Sequence, residues 1–298
     1  MSTSASQQAD LDPASFRAIA DLAYRESGLT LVQEKSSMIQ SRLRHRLRDL
    51  GLADFAAYCS LVQSDAGQGE RRNLISALTT NVSHFFRESH HFDVLRAELD
   101  RHLPKLRAGG QLRIWSAGCS NGQEALSAAM TLLDHVPDVA RLDLRILATD
   151  IDPEVVQFAR KATYPERLVR GISPDMLKKY FDQTTEAGHE PSYIAKPVLT
   201  DVIRVNELNL LSPWPMRKRF DIIFCRNVVI YFDQRTQEKL WPSFLNALAP
   251  DGVLLLGHSE RIAEPERYGF TCTGPTTYRP CHALKSTARP EKQKQSEG

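Results

Sequence analysis

The sequence predicts an α/β protein: an open parallel sheet covered by helices, with a smaller all-helical domain in front of it. Three observations predict this. From residue 112 onward, short apolar runs alternate with helix-period segments, which is the signature of βαβ units. Residues 13–106 carry helical periodicity with no convincing strand. A turn bounded by Gly118 and Gly122 follows the first strand, where open α/β sheets bind ligands.

The helical part opens at Asp12-Pro13, an N-cap followed by proline at the first helical position. Phe16, Ile19, Ala20 and Ala23 then repeat at helix spacing, and Gly28 ends the segment. Further helices are expected over residues 34–50, 54–63, 70–79 and 89–103, with residues 67–69 as a flexible break between two of them. In the second half, strands are expected at 112–116, 142–148, 202–205, 220–225 and 253–256, with helices at 124–134, 153–161 and 234–248. Residues 188–200 interrupt the alternation with Pro191, Pro197 and β-branched residues and read as a small antiparallel insertion. A terminal hairpin is expected over 268–278. The expected organisation is a disordered lead at 1–12, a helical N-terminal domain and linker at 13–106, an α/β domain at 107–285 with its insertion near 186–201, and a disordered tail at 286–298.

Composition narrows the function. The chain has 298 residues, 42% hydrophobic and 25% charged, with a formal net charge of +2, too balanced for a whole-chain nucleic-acid binder. No apolar run approaches the length of a membrane span. Five cysteines without a CxxC pair fit a reducing cytoplasm better than a disulfide framework. Nine histidines include His84, His90 and His91, but no spacing matches a zinc site, so no metal is expected. His258 reads as bonding within its own turn, and Cys119 and Cys225 as buried apolar residues.

The chemistry lies just after the strands. Gly118 and Gly122 allow a sharp turn and close backbone approach to a ligand, and Glu124 falls in the first turn of the next helix. Asp150, after the second strand, can accept hydrogen bonds from two ribose hydroxyls. The turn lacks the GxGxxG fingerprint, and Glu124 would repel a pyrophosphate. A phosphate-free adenosine cofactor with a positive centre fits better, and S-adenosylmethionine has both properties. In the bland reading of the same residues, the glycines only shape a turn and Glu124 only complements the helix dipole.

Several blocks, in order, then closely resemble the CheR family of chemoreceptor glutamate methyltransferases. They are residues 78–87 (LTTNVSHFFR), 116–124, 148–152 (ATDID), 209–211 (NLL), 224–232 (FCRNVVIYF) and 257–260 (GHSE). The family usually has Thr where this chain has Ser83, and Glu-Pro-Tyr-Ser where it has Glu124-Ala125-Leu126-Ser127. The resemblance implies a Rossmann-like class I methyltransferase domain with an inserted β-subdomain behind an all-α domain. It implies that Asn81, Ser83, Arg87, Glu124, Asp150, Asn209, Leu210, Arg226 and Asn227 line the S-adenosylmethionine site, beside Gly118, and that Arg87 and Tyr231 face the reaction centre. It also implies glutamate side chains of chemoreceptor cytoplasmic helices as substrate, methyl esters and S-adenosylhomocysteine as products, and a receptor C-terminal peptide as a partner at the β-subdomain. The chain is read as a monomer with no nucleic-acid partner. A nucleic-acid methyltransferase would carry an Asn/Asp-Pro-Pro-aromatic segment where this chain has Arg226-Asn227-Val228-Val229. A non-catalytic S-adenosylmethionine sensor or scaffold would not need Arg87 and Tyr231.

One charge pattern stands outside the cleft. In the helix at 34–50, Ile39, Leu43, Leu47 and Leu50 form an apolar stripe. Arg44, His45 and Arg48 are expected to face away, with Arg42 at the edge. A solvated face is the default for such a run, and the resemblance turns it toward docking an acidic receptor helix.

Overall fold

A computed structural model describes residues 10–185 and 190–281; most of the expected lead, the tail at 286–298 and residues 186–189 of the insertion lie outside the described residues. The helical domain contains α1 (Pro13–Ser27), α2 (Ser36–Asp49), α3 (Phe55–Gln63) and α4 (Gln68–Leu78). Asp12 caps α1 through bonds from the Ala14 and Ser15 amides, and Gly28 ends it at φ 73°. Phe16, Ile19 and Leu22 of α1 pack with Ile39, Leu43 and Leu47 of α2 and with Phe55, Tyr58, Leu74 and Leu78. Arg46 makes a two-pronged bond to Glu70, at 2.9 and 2.7 Å, and Tyr58 donates to the same carboxylate at 3.0 Å, which ties α2, α3 and α4 together.

Three expectations change here. Leu50 is exposed, because α2 ends one residue before it and the chain turns away. Residues 67–69 are no flexible break. Gly67 closes a tight turn against the backbone of Leu61, and α4 starts at the next residue. Arg42 turns inward rather than edging the outer face. Its guanidinium donates to the carbonyls of Leu78 and Thr79, at 2.9 and 2.8 Å, and to the Thr80 hydroxyl at 3.2 Å. It thereby satisfies the free carbonyls at the end of α4.

The α/β domain starts earlier than residue 107. Helix α5 (His90–Arg107) sends Phe92, Leu95, Leu99 and Leu106 into the core of the sheet, not into the helical domain. There follow β1 (Gln111–Ala117), α6 (Gln123–His135), β2 (Asp143–Asp150) and α7 (Pro153–Lys161). The insertion comprises β3 (Thr163–Pro165), α8 (Glu166–Val169), α9 (Pro174–Tyr180), β4 (Phe181–Thr184) and β5 (Ser192–Ala195). It therefore begins about one element after α7, well before residue 186. Its first strand pairs across some 30 residues with β5, a distance at which local patterning is silent. The chain returns through α10 (Pro197–Thr200) to β6 (Ile203–Glu207), β7 (Phe220–Cys225), α11 (Gln234–Ala247), β8 (Leu248–Leu256) and the hairpin β9 (Phe270–Gly274) and β10 (Thr277–Pro280).

The seven-stranded sheet has the order β6-β2-β1-β7-β8-β10-β9. The first five strands run parallel, and β10 and β9 pair antiparallel. Strand order reverses between β1 and β7, so a crevice opens beyond their carboxyl ends. One face, with Leu112, Ile114, Ile146, Ile222 and Phe224, packs under α5 and α6. The other, with Trp115, Ile223, Leu254 and Leu256, packs against Trp241 and Phe244 of α11. Among the described residues no helix is long and apolar enough to cross a membrane.

Arg42→Ala removes a charged donor from several α4 carbonyls and should lower unfolding stability by about 1.5–3 kcal/mol, the range for bonds to charged groups. Urea unfolding of the variant at neutral pH measures this, and an unchanged midpoint would show the contact to be idle.

Candidate active site

A cleft opens at the carboxyl ends of β1, β2, β6 and β7. Its walls contain Asn81, Ser83, Arg87, Gly118, Glu124, Asp150, Asn209, Leu210, Arg226, Asn227 and Tyr231. The structure thus brings together every residue expected at the cofactor and the reaction centre. Ser27 and Leu29, from the end of α1, close the cleft from the helical domain, and nothing local in the sequence marks them for that position.

The glycine turn is held by β2. The Gly118 and Cys119 amides both donate to the Thr149 carbonyl at 2.8 Å. Gly118 has φ 85°, and a Cβ there would overlap Val228 of the loop after β7, so the two loops touch where only glycine fits. Asp150 ends β2, and its carboxylate accepts from the Ser120 amide at 2.8 Å and the Asp152 amide at 3.1 Å. Burial raises its pKa, against the pull of those two amides.

Asp152 is buried and joins the domains. It caps α7 through the Glu154 amide and accepts from Ser76 at 2.7 Å, Thr79 at 3.2 Å and Asn81 at 2.6 Å. The Asn81 amide group is therefore spent on Asp152, while its carbonyl accepts from the Ser120 hydroxyl at 3.0 Å. Asn209 similarly donates to the Glu26 carbonyl at 2.7 Å, and the Tyr231 carbonyl accepts from the Thr30 amide at 3.0 Å. Three contacts thus fix the helical domain over the cleft.

Arg226 is not a free cation. Its side chain is 2% exposed, with Nη1 at 3.1 Å from Glu124 and Nε at 3.3 Å from Glu88, and it also donates to the Arg87 carbonyl. The other Glu124 oxygen accepts from Ser116 at 2.6 Å. Burial raises the Glu124 pKa, and Arg226 and Ser116 oppose the rise. Glu88 also takes His258, through Nδ1 at 2.9 Å and the backbone amide at 3.2 Å, so His258 bonds across the fold and not within its own turn. Burial alone would raise the Glu88 pKa, but His258 and Arg226 outweigh it and hold it at about 2. His91 lies 3.6 Å from Glu88, yet burial and then Arg226 push it down to about 3, so it is neutral and makes no ion pair there. Arg87 spends one N–H on the Val82 carbonyl at 3.1 Å, and the rest of its fork lies in the cleft wall.

Comparison with known proteins decides the family. Residues 14–79 match the CheR methyltransferase all-alpha domain and residues 81–278 the CheR methyltransferase SAM binding domain. The chain belongs to the CheR methyltransferase family. It is 45% identical over 262 residues to a probable chemotaxis protein methyltransferase of Rhizobium etli, covering 87% of this chain and 96% of that one. To the chemotaxis protein methyltransferases of Escherichia coli and Salmonella typhimurium it is 40% identical in each case, over 90% and 91% of this chain and 91% and 92% of theirs. The family boundary near residue 80 agrees with the packing of α5 in the sheet core. The cleft belongs to a domain that binds S-adenosylmethionine, and the residues present fit that cofactor. A glycine cradle leaves room for close backbone approach, Asp150 ends β2 where ribose hydroxyls can be met, and Glu124 lines the wall where a cationic end can sit.

The two perturbed groups set an acid limit with separable windows. A histidine with a depressed pKa destabilises the fold as pH falls from 6.5 toward 3, since the unfolded chain binds the proton first. Glu88 stabilises above about 4.5 and loses that contribution as pH falls through about 2. Each proton is worth about 1.4 kcal/mol per pH unit within its window. His91→Gln should therefore flatten the stability loss between pH 6.5 and 5 by about one proton, while Glu88→Gln lowers stability by a constant amount above pH 4.5, leaves that slope alone and changes the slope only below pH 4.5. Urea unfolding at four pH values reads both, and identical slopes in His91→Gln and the parent chain would sink the assignment.

Proposed function

We propose that the chain is a protein-glutamate O-methyltransferase that esterifies glutamate side chains on the cytoplasmic helices of chemoreceptors. One observation carries this reading: within a CheR-family cleft, the acids in the walls are held by protein donors, while the Tyr231 hydroxyl and the Arg87 N–H groups not given to Val82 are left to meet an acceptor. Glu124 is held by Ser116 and Arg226, and Asp150 by two backbone amides. His84 also lines the cleft, kept neutral by burial and by Arg87, but a carboxylate acceptor needs no general base, because glutamate is ionised near neutral pH with a pKa of about 4.3.

Bound in the cleft, S-adenosylmethionine supplies an electrophilic methyl group on a sulfonium. Asp150 holds the ribose hydroxyls, with its remaining lone pairs. Glu124 and its neighbours hold the positive amino-acid end, and Gly118, Asn209, Leu210 and Asn227 shape the walls around it. Asn81 and Ser83 belong to the linker that covers the cleft, and Asn81 acts there through Asp152. Arg87 holds the acceptor carboxylate by charge-assisted bonds, and Tyr231 orients it from the opposite wall. Opposite charges cancel as carboxylate meets sulfonium, so the water exclusion provided by Ser27, Leu29 and the linker favours transfer. The protein mainly supplies alignment.

The test supplies labelled S-adenosylmethionine with receptor cytoplasmic fragments and then treats the product with base. An ester releases labelled methanol; base-stable label means nitrogen methylation and overturns the reading. Arg87→Ala should lower kcat on receptor on the order of a hundredfold, the scale of a misplaced acceptor, with little change in unfolding midpoint. Normal turnover in a folded variant would remove Arg87 from the reaction centre.

Receptor docking falls to the outer face of α2. Arg48 and His45 are exposed, and Arg44 is half-buried, with Asp10 at 3.3 Å. His45 approaches Asp49 at 2.9 Å. Arg42 drops out of this face, since it is occupied at the end of α4. An acidic helix complements what remains, each exposed pair being worth about 0.2–1 kcal/mol and screened over roughly 8–10 Å. Reversing Arg44 and Arg48 to Glu should raise the receptor KM and flatten its salt dependence, with cofactor affinity unchanged. An unaltered KM at low salt would place the docking surface elsewhere.

A further inference from the structure

Glu260 lies outside the cleft walls, 2% exposed, in the turn after β8. Four backbone amides converge on its carboxylate. Oε2 accepts from Asn227 at 2.8 Å and Gly257 at 2.6 Å, and Oε1 accepts from Val228 at 2.8 Å and Ile230 at 3.2 Å. Two oxygens offer about four lone-pair sites, and all four are used; burial raises the Glu260 pKa and the four amides oppose the rise. Three of the four donors belong to the loop after β7.

That loop carries Asn227 and Tyr231, and it has no slack. Asn227 stands at φ 59°, in the left-handed region that asparagine tolerates better than most side-chain-bearing residues. Val228 presses on Gly118 of the cofactor turn from one side. On the other side, Gly257 approaches so closely that a Cβ there would lie 2.7–2.8 Å from Asn227 and Glu260. The Ile230 amide sits inside the single turn Val229–Tyr231 that aims the Tyr231 side chain. A buried anion thus occupies a concavity of main-chain amides, much as a bound phosphate would.

We infer that Glu260 is a positioning residue for methyl transfer: its carboxylate, gripping the amides of Asn227, Val228 and Ile230, sets where Asn227 and Tyr231 stand relative to the Gly118 turn. It touches neither cofactor nor acceptor. The inference rests on the proposed reading of the cleft, and it reaches further, to a residue in the turn beyond β8 and outside the pocket. Shifts of a few tenths of an ångström in this loop enlarge or close the gap at Gly118, and a misplacement of about 1 Å near reacting atoms costs on the order of a hundredfold in rate.

Glu260→Gln tests it. The amide keeps the shape but turns its NH2 toward two of the amide donors, so one half of the grip is lost. Three readouts are taken on the full chain: thermal unfolding, S-adenosylmethionine binding by calorimetry, and steady-state methylation of receptor fragments. The expected result is a folded variant whose cofactor affinity falls roughly tenfold and whose kcat falls on the order of a hundredfold, while the receptor KM holds. Amide hydrogen exchange at residues 227–230 should accelerate, with α2 and α4 unchanged. If Glu260→Gln does not fold, Gly257→Ala carries the same test, since its Cβ pushes the same loop from behind. Parent-like kcat and cofactor affinity in a folded variant overturn the positioning role, as does a lower melting temperature with kcat intact. Failure of the parent chain to methylate receptor while it still binds S-adenosylmethionine would instead overturn the proposed function, and the calorimetric arm would still judge Glu260.

Discussion

Beneath the cleft, Arg226 reaches Glu124 at the start of α6 and Glu88 at the start of the α5 segment, and the three form one buried unit. Removing charges from water is costly, and two carboxylates on one guanidinium are not balanced. The structure answers with neutral and partly exposed donors: Ser116 on Glu124, and His258 on Glu88. It also stacks Arg226 within 5.9 Å of the Phe92 ring. Burial, with a smaller push from Glu88, raises the Glu124 pKa, and a cationic ligand in the cleft would favour its charged form. The ends of β7, α6 and the linker at residues 86–88 are all fixed by this unit, with Phe86 and Glu88 held at positive φ to reach it. The cofactor cleft is a consequence of where those three segments meet.

The parallel sheet, the glycine turn, Glu124 and Asp150 were legible in the sequence because each is announced locally, by a run of apolar residues, a glycine pair, or an acid at a strand end or helix start, whereas the roles of Asn81, Ser83, Arg87 and Tyr231 came from the family resemblance. The partners of charged side chains were not. Arg42 and Arg48 look alike along α2, yet one sits over the carbonyls of α4 and the other faces solvent; the choice is made by where α4 ends, more than thirty residues away. Glu88 and Asp152 are unremarkable within their segments, and their weight comes from Arg226, His258, Ser76 and Thr79, distant in sequence. The boundary near residue 80 was hidden for a similar reason: α5 has the periodicity of any amphipathic helix, and only packing tells which core its stripe enters.

The helical domain meets the sheet domain at polar points set around an apolar contact. Ile151 and Tyr231 pack against the helical core, while Asp152, Asn209 and the Tyr231 carbonyl take hydrogen bonds from it or give them. Water exclusion at the cleft therefore comes from the relative position of two domains, and the linker at residues 79–87 both connects them and lines the space between.

The grip of Arg42 on the end of α4 has a further meaning for how such chains can be rebuilt. The guanidinium holds Thr79 and Thr80, Thr79 reaches Asp152, and Asp152 also carries Asn81 and starts α7. A mechanical linkage therefore runs from the outer helix to the floor of the cleft. The helical domain is not a detachable cassette: exchanging it for another receptor-docking module would unhook the segment that roofs the cofactor space, unless the graft preserved an arginine at this point and the hydroxyls it meets.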